Sequence, residues 1–199
     1  MAEVRVEVVL PIDRYKAGEL TLKGSDGTKL AGPFPVLGKA DNSKAASSGN
    51  PNRDPTRPWG DTPEGTYSVP RIVDTGLGTI YSAGSYGPDY AVVLDPQSGD
   101  ALTAKTNGRT GLFIHSGSQK STGKLRPTYG CLRLSDADMR SLLKAISKAG
   151  DSSFKCEVVE ISVAVGNEAD GVPGADESDP PPNILELLTP KEIPPISLP

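Results

Sequence analysis

The sequence predicts a mainly β domain with one clear α-helix and an extended tail, and three observations carry that reading. Short apolar runs alternate with polar residues at the two-residue period of half-buried strands. Turn formers are dense, with 22 glycines and 19 prolines among 199 residues, so few segments run long enough for a helix. Only one window repeats apolar residues at helical spacing. Apolar residues make up 36% of the chain, enough for one core and not for two. The domain is placed at residues 1–165 and the tail at 166–199.

Val4, Val6, Val8 and Leu10 alternate with Arg5, Glu7 and Val9 until Pro11 stops them, which reads as a first strand. Segments 19–23 and 29–30 flank Gly24-Ser25-Asp26-Gly27, a hairpin with an Asp-Gly turn. Residues 33–37 form the next expected strand. Residues 41–58 hold no apolar side chain larger than alanine or proline. They bury little, so they read as a long loop that is either disordered or functional. Trp59, at its end, is expected to anchor the loop to the core, the alternative being a platform for a sugar or a peptide.

Thr62-Pro63-Glu64-Gly65 has turn chemistry and precedes a strand at 66–69. Further short strands are expected at 71–73, 78–82, 90–94 and 112–114, separated by glycine-bearing turns. Tyr81, Tyr86 and Tyr90 read as half-buried strand and turn residues, with a cleft lining as the alternative. The helix follows Ser135-Asp136-Ala137-Asp138, a capping box with aspartate in place of glutamate, and Gly150 suits its C-terminal cap. Met139, Leu142, Leu143 and Ile146 form its apolar face; Arg140, Lys144 and Lys148 form the wet one. A last strand is expected at 154–165.

Charge divides the chain. Residues 166–199 carry seven acidic side chains against one lysine, a net −6, together with eight prolines. That segment is expected to be extended, and its apolar island at 183–188 reads as a docking motif or as a casual stretch of tail. The rest carries +2 of the total −4, which suits an anionic substrate and is too weak for nucleic acid. The amino terminus lacks the pattern of a secretory signal, and no run reaches membrane-spanning length. Export by another route, or a leader already removed, is expected. One histidine without a His/Cys cluster gives no zinc site, and no cofactor or metal is expected.

The chemistry concentrates in 111–140. His115, the only histidine, ends the apolar run Leu112-Phe113-Ile114, and Cys131 follows after fifteen residues, behind Gly130. A thiol needs a base or an electropositive setting to attack. Lys120, Lys124, Arg126 and Arg133 lie between His115 and Leu134 with no acid among them. Gly130 lets the chain bend, so that amides from Tyr129 to Cys131 can face an oxyanion. Cys131 and Cys156 are not expected to pair, since a nucleophile must stay reduced.

Thr128-Tyr129-Gly130-Cys131-Leu132-Arg133, after His115 at this spacing, resembles the signature of the YkuD-type L,D-transpeptidases. Thr62-Pro63-Glu64-Gly65-Thr66-Tyr67 resembles a second segment of the same domain, and the resemblance spans roughly 17–165. Where the family often has histidine before the glycine, this chain has Tyr129. The resemblance implies a β-sandwich-like catalytic domain acting on peptidoglycan stem peptides at the cell wall. It implies Cys131 as nucleophile, His115 as its base held by a backbone carbonyl, and Tyr129 and Gly130 as oxyanion support. Thr128, Ser116, Arg126, Arg133 and Trp59 are expected to bind substrate or support the site, and Thr62 and Gly65 to shape it. Trimming of stems as a carboxypeptidase, or exchange of D-amino acids, is open beside crosslinking. Without a leader, an effector-like or phage-borne wall enzyme with a delivery machine and an immunity partner is an alternative; a non-catalytic wall-binding module is another. A nucleophile is expected to show a depressed thiol pKa dependent on His115, a binding module an ordinary one.

Overall fold

A computed structural model describes residues 4–119, 123–149 and 156–164. The amino-terminal part builds β1 (Val4–Pro11), β2 (Gly18–Gly24) and β3 (Lys29–Val36). Period-two alternation does what it predicts in β1, where Val4, Val6, Val8 and Leu10 are buried and Arg5 and Val9 face out. The β2–β3 hairpin closes through Asp26 Oδ1, which accepts from the Thr28 amide at 2.9 Å, with Gly27 at φ 82°. The expected strands at 29–30 and 33–37 are one strand, β3.

The segment read as a long loop is ordered. It contains the short helix α1 (Asn42–Ser47), capped by Asp41, whose side chain accepts from the Lys44 amide at 2.7 Å. After β4 (Gly65–Ser68) and β5 (Ile72–Asp74), the strand expected at 78–82 is instead a closed turn. The Gly76 amide donates to Tyr81 O at 2.7 Å, and Thr79 Oγ1 donates at 3.0 Å to Gly76 O or Tyr81 O. This self-contained bonding leaves Leu77 and Ile80 exposed. Then come α2 (Ala83–Tyr86), β6 (Tyr90–Pro96), α3 (Gly99–Thr106), β7 (Leu112–His115) and β8 (Leu132–Arg133). The chain ends its described part with α4 (Asp136–Ala149) and β9 (Cys156–Ala164). Among the described residues three helices besides the expected one are present; they went unexpected because α1, α2 and α3 bury mainly small or polar residues, which leave no helical stripe in the sequence.

The strands form one sheet in the order β3-β2-β1-β9-β4-β6-β7-β8, with β5 on the side against β6. β1–β9 and β7–β8 are the parallel neighbours. The far ends of the path meet: the Leu37 amide donates to Arg133 O and the Arg133 amide to Leu37 O, both at 2.9 Å. The fold is therefore mostly β, a nearly closed sheet around one main core. α4 packs on β3 and β2, and its Met139, Leu142 and Ile146 share that core with Leu132 and Leu134. Half of the expected box forms, the Asp138 amide donating to Ser135 Oγ at 3.0 Å, while the Asp138 carboxylate takes the Ser135 hydroxyl, which donates to Oδ2 at 2.7 Å, in place of the Ser135 amide. Among the described residues, no helix is long and apolar enough to cross a membrane. Lys120, the Cys156 side chain, Gly150, and the 166–199 tail with its island at 183–188 lie outside what is described.

Candidate active site

Two adjacent parallel strands set the site. Ile114 is level with Leu132, and His115 with Arg133. Side chains alternate along each strand, so Leu112, Ile114, Leu132 and Leu134 point into the main core. Phe113, His115, Cys131 and Arg133 take the opposite face and line a cavity of about 480 Å³. Sequence position alone left Arg133 free to point either way; the register puts it on the side of Cys131. No acidic residue is among the cavity's lining residues.

Cys131 is a free thiol, 8% exposed, and its Sγ bonds Gly111 O at 3.5 Å. His115 is 3% exposed, and its Nδ1 lies 2.7 Å from Ser116 O. A carbonyl only accepts, so this bond puts the hydrogen on Nδ1 and leaves Nε2 as an acceptor. Ser116 thus supplies the backbone carbonyl that sequence could not name. In the resting site, neither the thiol nor the imidazole is hydrogen-bonded to the other. Burial pushes the imidazole down to about 3, with the Arg133 charge adding to the effect and the Ser116 and Ser85 carbonyls opposing it. Burial pushes the thiol up to about 11, against a backbone hydrogen bond from Phe113 and the charges of Arg109 and Arg133. The expected depressed thiol is corrected on this point: enclosure outweighs the two guanidiniums.

The turn before Cys131 is fully bonded on one side. Thr128 Oγ1 accepts from the Gly130 amide at 2.9 Å and donates to Cys131 O at 2.9 Å. Gly130 O accepts from Thr62 Oγ1 at 2.9 Å and from Arg109 Nη2 at 3.1 Å. The Gly130 amide is therefore committed, contrary to its expected role at an oxyanion, whereas the Cys131 amide donates to no described protein group. Arg133 donates from Nη2 to Ser85 O at 2.9 Å and from Nη1 to Ser118 O at 3.1 Å, while its buried Nε has no partner.

One cavity wall is aromatic. Trp59, half-buried at φ 65°, meets Tyr129 edge to face at 5.2 Å, and Lys44 Nζ sits 4.2 Å over the Trp59 ring. It anchors the loop and lines the cavity at once. Tyr86 packs against His115 with ring centroids 5.0 Å apart, and Tyr81 also lines the cavity, so both take the cleft alternative; Tyr90 does not. Arg126 and Ser116 do not line it; the Arg126 charge acts on Arg133, helping to lower its pKa. Sequence reasoning missed Arg109, Ser85 and Gly111. Arg109 stands in an unremarkable turn, and nothing near it in sequence signals that four carbonyls converge on it.

The family of the L,D-transpeptidase catalytic domain, YkuD, matches residues 31–166. The chain belongs to that family. The match runs from within β3 past β9 and includes every cavity residue named above. As a YkuD domain, the protein is of the peptidoglycan transpeptidase type, acting at the cell wall. No curated protein matches the chain. Among the described residues, no group of three or more His, Cys, Asp or Glu side chains is placed to hold a metal ion.

Proposed function

We propose that this YkuD domain transfers acyl groups of peptidoglycan stem peptides through a thioester on Cys131, with His115 as the base. The observation that carries this is the shared face of β7 and β8, on which the thiol, the imidazole and Arg133 line one acid-free cavity. Cys131 Sγ bonds the carbonyl carbon of the third residue of a tetrapeptide stem, the bond to the D-alanine nitrogen breaks, and the thiol proton passes by way of His115 Nε2 to that nitrogen. A thiol near 11 and an imidazole near 3 start as a neutral pair. The proton leaves sulfur as the C–S bond forms, after Sγ has turned from Gly111 O toward the imidazole. The Cys131 amide receives the oxyanion, an effect of about 3 kcal/mol per donor in acyl transfer. An amine then resolves the thioester to a crosslink, water to a trimmed stem, or a D-amino acid to an exchanged one.

Intact-protein mass measurement with a disaccharide-tetrapeptide tests this. The wild type is expected to gain the stem minus D-alanine and Cys131→Ala to gain nothing. His115→Gln is expected to slow the adduct by about 10²–10⁴-fold, the range of a positioned base. A folded wild type that binds the stem and forms neither adduct nor product is instead a wall-binding module.

A further inference from the structure

We propose that Arg109 is a positioning residue of this site: by gripping the Gly130 carbonyl together with three carbonyls of the 55–61 loop, it sets the Gly130–Cys131 peptide plane and so aims the Cys131 amide at the reacting carbonyl. Arg109 is 4% exposed and lines the cavity. Its Nη1 donates to Pro55 O at 2.6 Å and Asp61 O at 2.8 Å; its Nη2 donates to Gly60 O at 2.8 Å and Gly130 O at 3.1 Å. All four terminal hydrogens are thus spent on backbone oxygens, a use of the rigid guanidinium fork that lysine cannot reproduce.

The glycine of the nucleophile turn exists for this contact. A side chain at Gly130, which has φ 107°, would place its first carbon 1.9 Å from Arg109 Nη2 and 2.2 Å from Gly60 O. The loop is fastened at its other end too: the Asp41 amide donates to Thr128 O at 2.8 Å, and Thr62 Oγ1 shares the Gly130 carbonyl. In a trans peptide the carbonyl and the next amide point in opposite directions. Anchoring Gly130 O on Arg109 and Thr62 therefore turns the uncommitted Cys131 N–H the other way. Burial pushes the Arg109 guanidinium below its ordinary value, with the nearby thiol, Tyr67 and Asp61 opposing that shift. A buried cation whose bonds all go to backbone carbonyls is suited to holding geometry, with its charge left over for the sulfur.

The inference rests on Cys131 as an acyl-transfer nucleophile and not on the identity of the donor, so the test uses two small electrophiles. With p-nitrophenyl acetate, Sγ bonds the carbonyl carbon, the C–O bond breaks to release p-nitrophenolate, and the thiol proton leaves through His115; an oxyanion forms. With iodoacetamide, Sγ displaces iodide and no oxyanion forms. Arg109→Lys keeps the charge and loses the fork. It is expected to lower the acylation rate roughly 100-fold, the scale of a misplaced reacting group, with alkylation within about threefold. Thr62→Val removes the other donor to the same carbonyl and is expected to lower the ratio of acylation to alkylation about tenfold; it decides alone if Arg109→Lys fails to fold. An unchanged ratio in a folded variant overturns the inference, as does a parallel fall of both rates, which marks a purely structural arginine. Wild type that takes the ester but never the stem peptide refutes the proposed donor and leaves the Arg109 result standing.

Discussion

The β1–β2 hairpin and the 41–61 loop are both long, both pack on the sheet, and are held by opposite means. The hairpin buries Val4, Val6, Val8, Leu10, Leu20 and Leu22 at 2% exposure or less. The loop buries Ala45 and little else that is apolar; it is held by Asp61 accepting from the Ala40 amide at 2.7 Å and Arg53 Nε at 3.1 Å, by Asn50 donating to Asp54 O at 3.0 Å and Pro58 O at 3.1 Å, and by Arg109 from across the site. Apolar burial is non-directional and tolerant of small shifts, whereas a polar network fixes position to within a hydrogen bond's reach. The loop bonds the turn before Cys131 through the Asp41 amide and packs on it through Trp59, so the polar fastening falls beside the candidate site.

The sharpest way to break this contrast is in the hairpin. Leu22→Ala leaves a void in the core and is expected to cost about 3 kcal/mol, measured by urea denaturation, with the acylation rate of the folded fraction unchanged. Asp61→Ala strands the Ala40 amide and Arg53. It is expected to cost about 2 kcal/mol and, unlike the hairpin variant, to slow acylation of Cys131 in protein that remains folded. A smaller effect again is expected from Trp59→Gly. It loses a ring contact but relieves φ 65°, so stability should change by less than about 1 kcal/mol.

The cavity adds a pH signature that neither region shares. His115 is lowered from 6.5 to about 3, so the unfolded chain binds more protons between those values, and stability is lost as pH falls below about 6.5 toward 3. Cys131 is raised from 9.0 to about 11, so the folded chain binds more protons there, and stability is lost as pH rises from about 9 to 11. Urea midpoints across pH should show both falls, and Cys131→Ala should weaken the alkaline one at its onset near pH 9 to 10, while burial of the Tyr67 and Tyr86 phenols, which raises both above their ordinary value, keeps the fall at higher pH.

What could be read from sequence follows the same division. β1, the Asp26-Gly27 turn and α4 were legible because period-two and helical stripes report burial directly. That His115 and Cys131 would meet at one site was legible from residue type and spacing, and both line the cavity. The 41–61 loop, α2 and Arg109 were not, because what orders them includes bonds to backbone carbonyls, 21 to 54 residues away in the case of Arg109, and a carbonyl has no letter in the sequence. The thiol's direction of shift was misread for a related reason: counting basic residues in the loop gives their charge but not the enclosure around the sulfur.

The meeting of Leu37 with Arg133 has a consequence for how a peptide can approach. β8 is two residues long, with β7 along one side and Leu37 bonded along the other. The strand that follows Cys131 therefore offers no open edge, and an extended peptide cannot be enlisted as an extra strand beside it. Under the proposed function, an acyl donor would reach Cys131 through the cavity lined by Trp59, Tyr81 and Tyr129, and its selection would fall to those side chains and not to the main chain of the sheet.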